Sequence, residues 1–128
     1  MPLYTQAIIN QNQRGEKMNS HNLIFNSPSG DEEVVLNLLS IKKASLVLRA
    51  VNHKLRQQIL KQIDEHKRIT VTELYVKLRL EQSVASQHLA ILRRAGFVTT
   101  VREGKFIYYS VNTERLKEVN RLVENLLD

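Results

Sequence analysis

The apolar positions of this chain fall into blocks, and their spacing changes from one block to the next. From Asp31, the stretch DEEVVLNLLSIKKASLVLRAV predicts a helix with acids in its first turn, where they complement the helix dipole. Val34, Val35, Leu38, Leu39, Ile41, Leu46 and Leu48 run almost all round it, more than one core face requires. Asn52 suits the cap of a second helix, HKLRQQILKQIDEH, with Leu55, Ile59, Leu60 and Ile63 inward. Ile69 and Val71 suggest a short extended entry, after which Thr72 can cap a brief helix buried through Leu74 and Leu78. A tight link through Leu80 leads to QSVASQHLAILRRAGFV, a helix whose end is marked by Gly96. Two strands follow in FVTTVREGKFIYYSV, folded around Glu103-Gly104. The last block, TERLKEVNRLVENLLD, aligns Leu116, Val119, Leu122, Val123 and Leu126 on one helical stripe.

The order is helix, helix, short helix, helix, hairpin, helix. It predicts a mainly α fold with a β-hairpin wing, a winged helix-turn-helix, over residues 31–128. Residues 1–30 differ: Asn, Gln and Ser supply eleven of them, with Pro2, Gly15, Pro28 and Gly30 as breakers. That composition predicts a weakly ordered tail, in which Asn22–Phe25 could still dock.

The helix from Gln82 carries the most specific signal. Placed at 100° steps, Ala85, Leu89 and Leu92 share one side, with Val84, Ile91 and Ala95 beside them. Ser83, Ser86, Gln87, Ala90 and Arg94 share the other, and no acid lies among them. A helix entering a DNA major groove needs this arrangement. Short side chains let the backbone approach, Ser and Gln pair with base edges, and carboxylates would repel phosphate. Arg102 and Lys105 flank the hairpin tip and suit phosphate or minor-groove contact, though a solubilising turn would look the same. His88 falls on the core side, which favours a packed or network-forming histidine over a base reader. Phe106, Tyr108 and Tyr109 read as strand packing.

Composition narrows the function further. The net charge is +6, and from His53 to Ser110 eleven Lys or Arg stand against five Asp or Glu, so the whole excess lies in that segment. A localised basic excess favours a polyanionic partner, because released counterions make phosphate contacts favourable. There are no cysteines among the 128 residues, which excludes disulfides and thiolate metal ligands. No apolar run is long enough to span a membrane and no signal-peptide pattern opens the chain, so a cytoplasmic protein is expected. No nucleophile–base pair, paired carboxylates, phosphate-cradling glycine loop or cluster of metal ligands is visible, so neither enzyme activity nor a cofactor is expected.

The segments LEQSVASQHLAILRRAGFV and VREGKFIYYSV resemble the recognition helix and wing of ArsR-type winged-helix repressors, and the likeness extends over roughly residues 46–127. The resemblance implies a homodimer on double-stranded operator DNA, with the first and last helices packed together and an inducer that releases it. It places Gln82, Ser83, Ser86 and Gln87 at the bases; Arg94, Arg102 and Lys105 are expected on the backbone. The apolar stripe of the last helix and the excess apolar surface of the first put Leu38, Leu39, Leu116, Val119, Leu122, Val123 and Leu126 in the dimer seam. Three places depart from the family. Thr70-Val71-Thr72 stands where the thiolate metal site of some members lies, and neutral hydroxyls cannot replace thiolates for a soft metal. Thr113 and Arg115 fall where other members use Asp and His, and Arg79 occupies a turn position usually held by glycine. No metal site is therefore expected, and the sequence names no inducer. The alternatives are a winged helix that docks another protein, or a sensor with a non-standard metal or ligand site.

Overall fold

The computed structural model describes residues 21–128, and the chain divides into two units, 1–46 and 47–128, each taken here by itself. The first unit corrects the expected start of the first helix. Strands β1 (Asn22–Asn26) and β2 (Glu33–Asn37) form an antiparallel hairpin that sets Leu23 opposite Leu36, Ile24 opposite Val35 and Phe25 opposite Val34. Its turn depends on Gly30 at φ 78°, with the Gly30 N–H donated to the Ser27 carbonyl at 2.9 Å. Helix α1 (Leu38–Val51) therefore begins at Leu38 and not at Asp31, capped by the Asn37 side chain, which accepts the Ser40 N–H at 3.0 Å. The acids at 31–33 belong to the turn and strand, and Val34-Val35 follows its β-branched preference once β1 supplies a partner. Residues 22–26 of the expected tail are thus a strand, and residues 1–20 lie outside the described residues.

The second unit contains α2 (Lys54–His66), β3 (Ile69–Thr70), α3 (Val71–Leu78), α4 (Gln82–Arg94), β4 (Val98–Glu103), β5 (Phe106–Val111) and α5 (Thr113–Leu127). Two caps differ from expectation. His53, not Asn52, caps α2, because the Asn52 N–H still bonds back to Leu48 and the chain turns extended only at His53. Thr70, not Thr72, caps α3 in a reciprocal box with Glu73, and Thr72 sits inside the helix. In both places a second capping residue stood nearby, and the tertiary fold selects between them.

Arg79 and Gly96 end α3 and α4 in the same way. The Leu80 N–H reaches the Tyr75 carbonyl and the Arg79 N–H the Val76 carbonyl; Phe97 and Gly96 repeat the pattern on Leu92 and Arg93. Gly96 adopts φ 86°, and Arg79 adopts φ 55°, ψ 45°, the left-handed conformation that the glycine-to-arginine departure implied. The sheet order is β3-β5-β4, all antiparallel, and the hairpin loop is Gly104-Lys105, one residue later than Glu103-Gly104. Gly104, the first loop residue, is at φ 60°. A core of Ala50, Ile59, Ile63, Ile69, Leu74, Leu89, Leu92, Ala95, Phe97 and Val98 joins helices and sheet. The fold of this unit is a winged helix-turn-helix.

The strain at Arg79 is removable. Arg79→Gly relieves a left-handed side chain costing about 1 kcal/mol but adds freedom to the unfolded chain, for a net gain of about 0.5 kcal/mol. The expected outcome is a Tm higher by about 2–4 °C in thermal unfolding followed by circular dichroism.

Candidate nucleic-acid interface

Helix α4 is held by one face. Ala85, Leu89 and Leu92 are fully buried, with Val84 and Ile91 half-buried beside them. That leaves Gln82, Ser83, Ser86, Gln87, Ala90, Arg93 and Arg94 exposed. The cap residue Glu81 makes no side-chain capping bond, so one carboxylate stands at the start of the helix while the exposed face beyond it has none. Ser86, Ala90, Arg93 and Arg94 line one side of an open concavity of about 420 Å³, and Tyr109 of β5 contributes to its wall. Two guanidinium groups beside a groove between helix and wing can grip a phosphate bidentately. Sequence reasoning missed Arg93, although Ser86, Ala90 and Arg93 stand at i, i+4 and i+7. Tyr109 was assigned to strand packing alone; it both packs on the core and reaches the groove.

The wing is braced from the residue that precedes β3. Arg68 donates both terminal nitrogens to the Glu103 carboxylate, at 2.7 and 3.0 Å, and its guanidinium lies 4.0 Å from the Tyr108 ring centre. The shared hydrogen bonds lower the Glu103 pKa and raise that of Arg68. Glu103 would otherwise repel phosphate at the tip. With Arg68 against it, the unpaired charges there are Arg102, bonded through Nε to the Gly104 carbonyl, and Lys105, 5.5 Å over the Phe106 ring. Arg68 also escaped sequence reasoning, since its partner lies 35 residues away.

His88 is half-buried on the core side of α4, where Arg56 donates to its Nδ1 at 3.2 Å, so it belongs to a network and not to the exposed face. The departing positions are structurally engaged. Thr70 donates its hydroxyl to Glu73 at 2.9 Å, and Arg115 donates Nε to the Ala95 carbonyl at 3.0 Å while pairing with Glu118. Among the described residues no three His, Asp or Glu side chains gather to hold a metal, and no helix is long and apolar enough to cross a membrane.

Comparison with known proteins agrees with this architecture. Residues 53–100 match the family described as bacterial regulatory protein, arsR family. The chain is 37% identical over 84 residues to the transcriptional activator HlyU of Vibrio cholerae, covering 66% of this chain and 77% of that protein. The chain belongs to the ArsR family. A second ArsR-family relative, the transcriptional repressor PagR of Bacillus anthracis, is 30% identical over 88 residues, 69% of this chain and 88% of PagR. The crystal structure of PagR superposes with a TM-score of 0.54 over 66% of this chain and 97% of that one, at 30% identity. The ArsR-family match runs from the cap of α2 into β4 and so contains the whole of α4.

Replacing Arg102 and Lys105 by alanine tests the wing. Binding to specific and random DNA should weaken alike, and the slope of log K against log salt should flatten by about 0.9 per lost phosphate contact. Fluorescence anisotropy titrations at several salt concentrations check this; a loss confined to one sequence would assign the wing to base reading.

Proposed function

We propose that this ArsR-family chain is a homodimeric transcriptional repressor that binds double-stranded operator DNA by inserting α4 into the major groove. The observation that carries the reading is the exposed face of α4. Short neutral donors and acceptors at Gln82, Ser83, Ser86 and Gln87 are followed by Arg93 and Arg94, with a braced basic wing beside them. Gln and Ser read base edges, and the arginines hold the phosphates that set their register. A protein-docking surface has no need of this separation of neutral hydrogen-bonding groups from cations.

The dimer has its own support. On α5, Leu116 and Val119 pack against the core, Val123 is half-buried, and Leu122 and Leu126 stand 62% and 78% exposed. Apolar side chains projecting at that spacing favour burial against a second copy. On α1 the expected contributors are Leu38, half-buried, and Leu39, exposed. Two recognition helices about a twofold would then meet half-sites one helical turn apart. Control does not use the family's thiolate or Asp/His ligands, since Thr70 and Arg115 do structural work at the corresponding places. Repression follows from occupying the operator. The relatives include proteins named as activator and as repressor, and a reporter gene behind the selected operator decides the sign for this chain.

The direct test is a double substitution, Ser86→Ala with Gln87→Ala. Both side chains are exposed, so the fold should persist by circular dichroism. Preference for a selected operator over a scrambled duplex should fall by roughly 1–3 kcal/mol per lost base contact, while non-specific affinity stays within error. An unchanged preference would remove α4 from the role of reader.

A further inference from the structure

Arg56 is a buried guanidinium, 7% exposed, that no residue-by-residue reading of the DNA-facing surface would single out. Its Nε–H donates to the Ala50 carbonyl at 2.7 Å and its Nη2–H to the Arg49 carbonyl at 3.0 Å, both in the last turn of α1. Helix ends leave such carbonyls without intrahelical partners, and the Gln57 amide takes the next one, that of Val51, at 2.8 Å. The third arm, Nη1, lies 3.2 Å from Nδ1 of His88 on α4. One side chain thus ties the end of α1 to the helix that faces DNA. His53 completes the group: its Nδ1 accepts the Arg56 backbone N–H at 3.3 Å as the cap of α2, and its ring centre is 5.0 Å from that of His88.

The hydrogen bonds fix the charge state. Guanidinium has donors and no acceptor, and a backbone N–H is a donor only, so Nδ1 of both rings must be the acceptor. Accepting at Nδ1 puts the His88 proton on Nε2 and leaves that ring neutral. A proton added to either Nδ1 would point N–H at N–H and place a further positive charge beside Arg56. The groups facing His88 are His53 and Arg56 from α2, and neither ring pairs with a carboxylate among the described residues. Burial first, then His53 and Arg56, push the His88 pKa below its ordinary value.

We propose that Arg56, His88 and His53 are positioning residues for α4, forming a clasp that holds only while the His88 imidazole is neutral, so that acidification loosens DNA binding. The proposal rests on the DNA-binding reading above. Its sign follows from the direction of the shift. As pH falls below about 6.5, the unfolded or unclasped chain takes up a proton at His88 before the clasped state does. The clasp is fully formed above that pH and weakens below it. Simple DNA binding has the opposite tendency, because a more positive protein binds phosphate more tightly.

His53→Asn together with His88→Asn keeps an acceptor near each Nδ1 position and removes the titration of His88; asparagine is also a good helix cap. Operator affinity of wild type and variant is measured by anisotropy from pH 7.5 to 5.5. The ratio of their affinities should turn against the wild type by roughly three- to tenfold, the range one net hydrogen bond supplies. Parallel pH profiles would overturn the clasp. If neither protein binds DNA at any pH, the functional reading fails, and the clasp is judged by two readouts without DNA. The wild-type Tm should fall below about pH 6.5 while that of the variant does not, and ring nitrogen NMR should show Nδ1 of His88 unprotonated at pH 7.5 and that ring titrating below about 6.5. A protonated Nδ1 at pH 7.5, or matching Tm profiles, would overturn it.

Discussion

Burial of one stripe of α4 is the constraint on which the rest of the second unit depends. Ala85, Leu89 and Leu92 are no more than 1% exposed, and the two leucines belong to the cluster that contains Ile59, Ile63, Leu74 and Phe97. Turning the helix by one residue, about 100°, would bring such side chains into water at about 1.5–3 kcal/mol each. Against a total stability of about 5–15 kcal/mol, that fixes the rotation of α4 about its axis. The outward direction of Ser86, Gln87 and Arg93 is thus decided by residues that never meet a partner. The same burial explains why the exposed face can be so poor in helix-stabilising charge: tertiary packing, not propensity, holds the helix.

The ends and neighbours of α4 are fixed as firmly as its rotation. Arg79 and Gly96 supply a left-handed residue before and after it, and Arg115 of α5 bonds the Ala95 carbonyl at its C-terminus. Gly96 also faces Arg115, whose Nε would lie 3.2 Å from an added Cβ, so close approach as well as backbone conformation favours glycine there. The wing is tied to the residue that precedes β3 by the Arg68–Glu103 pair. Isolated surface ion pairs contribute little, but this one is bidentate, stacks on Tyr108, and removes a negative charge from a tip that otherwise carries cations.

How much of this could be read in the sequence depended on whether the deciding partner was local. The two faces of α4 were legible because a 3.6-residue period sorts thirteen residues without help from elsewhere. The wing was legible from strand-forming residues around Gly104, with an error of one position in its loop. The stretch Glu33–Asn37 was not, because its three apolar residues, Val34, Val35 and Leu36, fit helix and strand equally, and β1 decided the matter from eleven residues upstream. The caps at His53 and Thr70 failed in the same way, each with a second candidate one or two residues off. Arg56 and Arg68 escaped altogether, and Tyr109 was read as strand packing alone. The two arginines meet partners 32 and 35 residues distant, and no local pattern encodes a contact of that range. The left-handed Arg79 shows the reverse case, in which the family resemblance placed a turn that arginine by itself disfavours.

The central claim is that two copies of α4 read DNA about a twofold axis. Fragments of genomic DNA retained by the protein, sequenced and then footprinted with hydroxyl radicals, test it most directly. The account predicts a shared pseudo-palindrome with two protected patches on one face of the duplex, about 34–36 Å apart, whose protection fades as salt is raised. Retained fragments with no common motif, or a single protected patch, would contradict it.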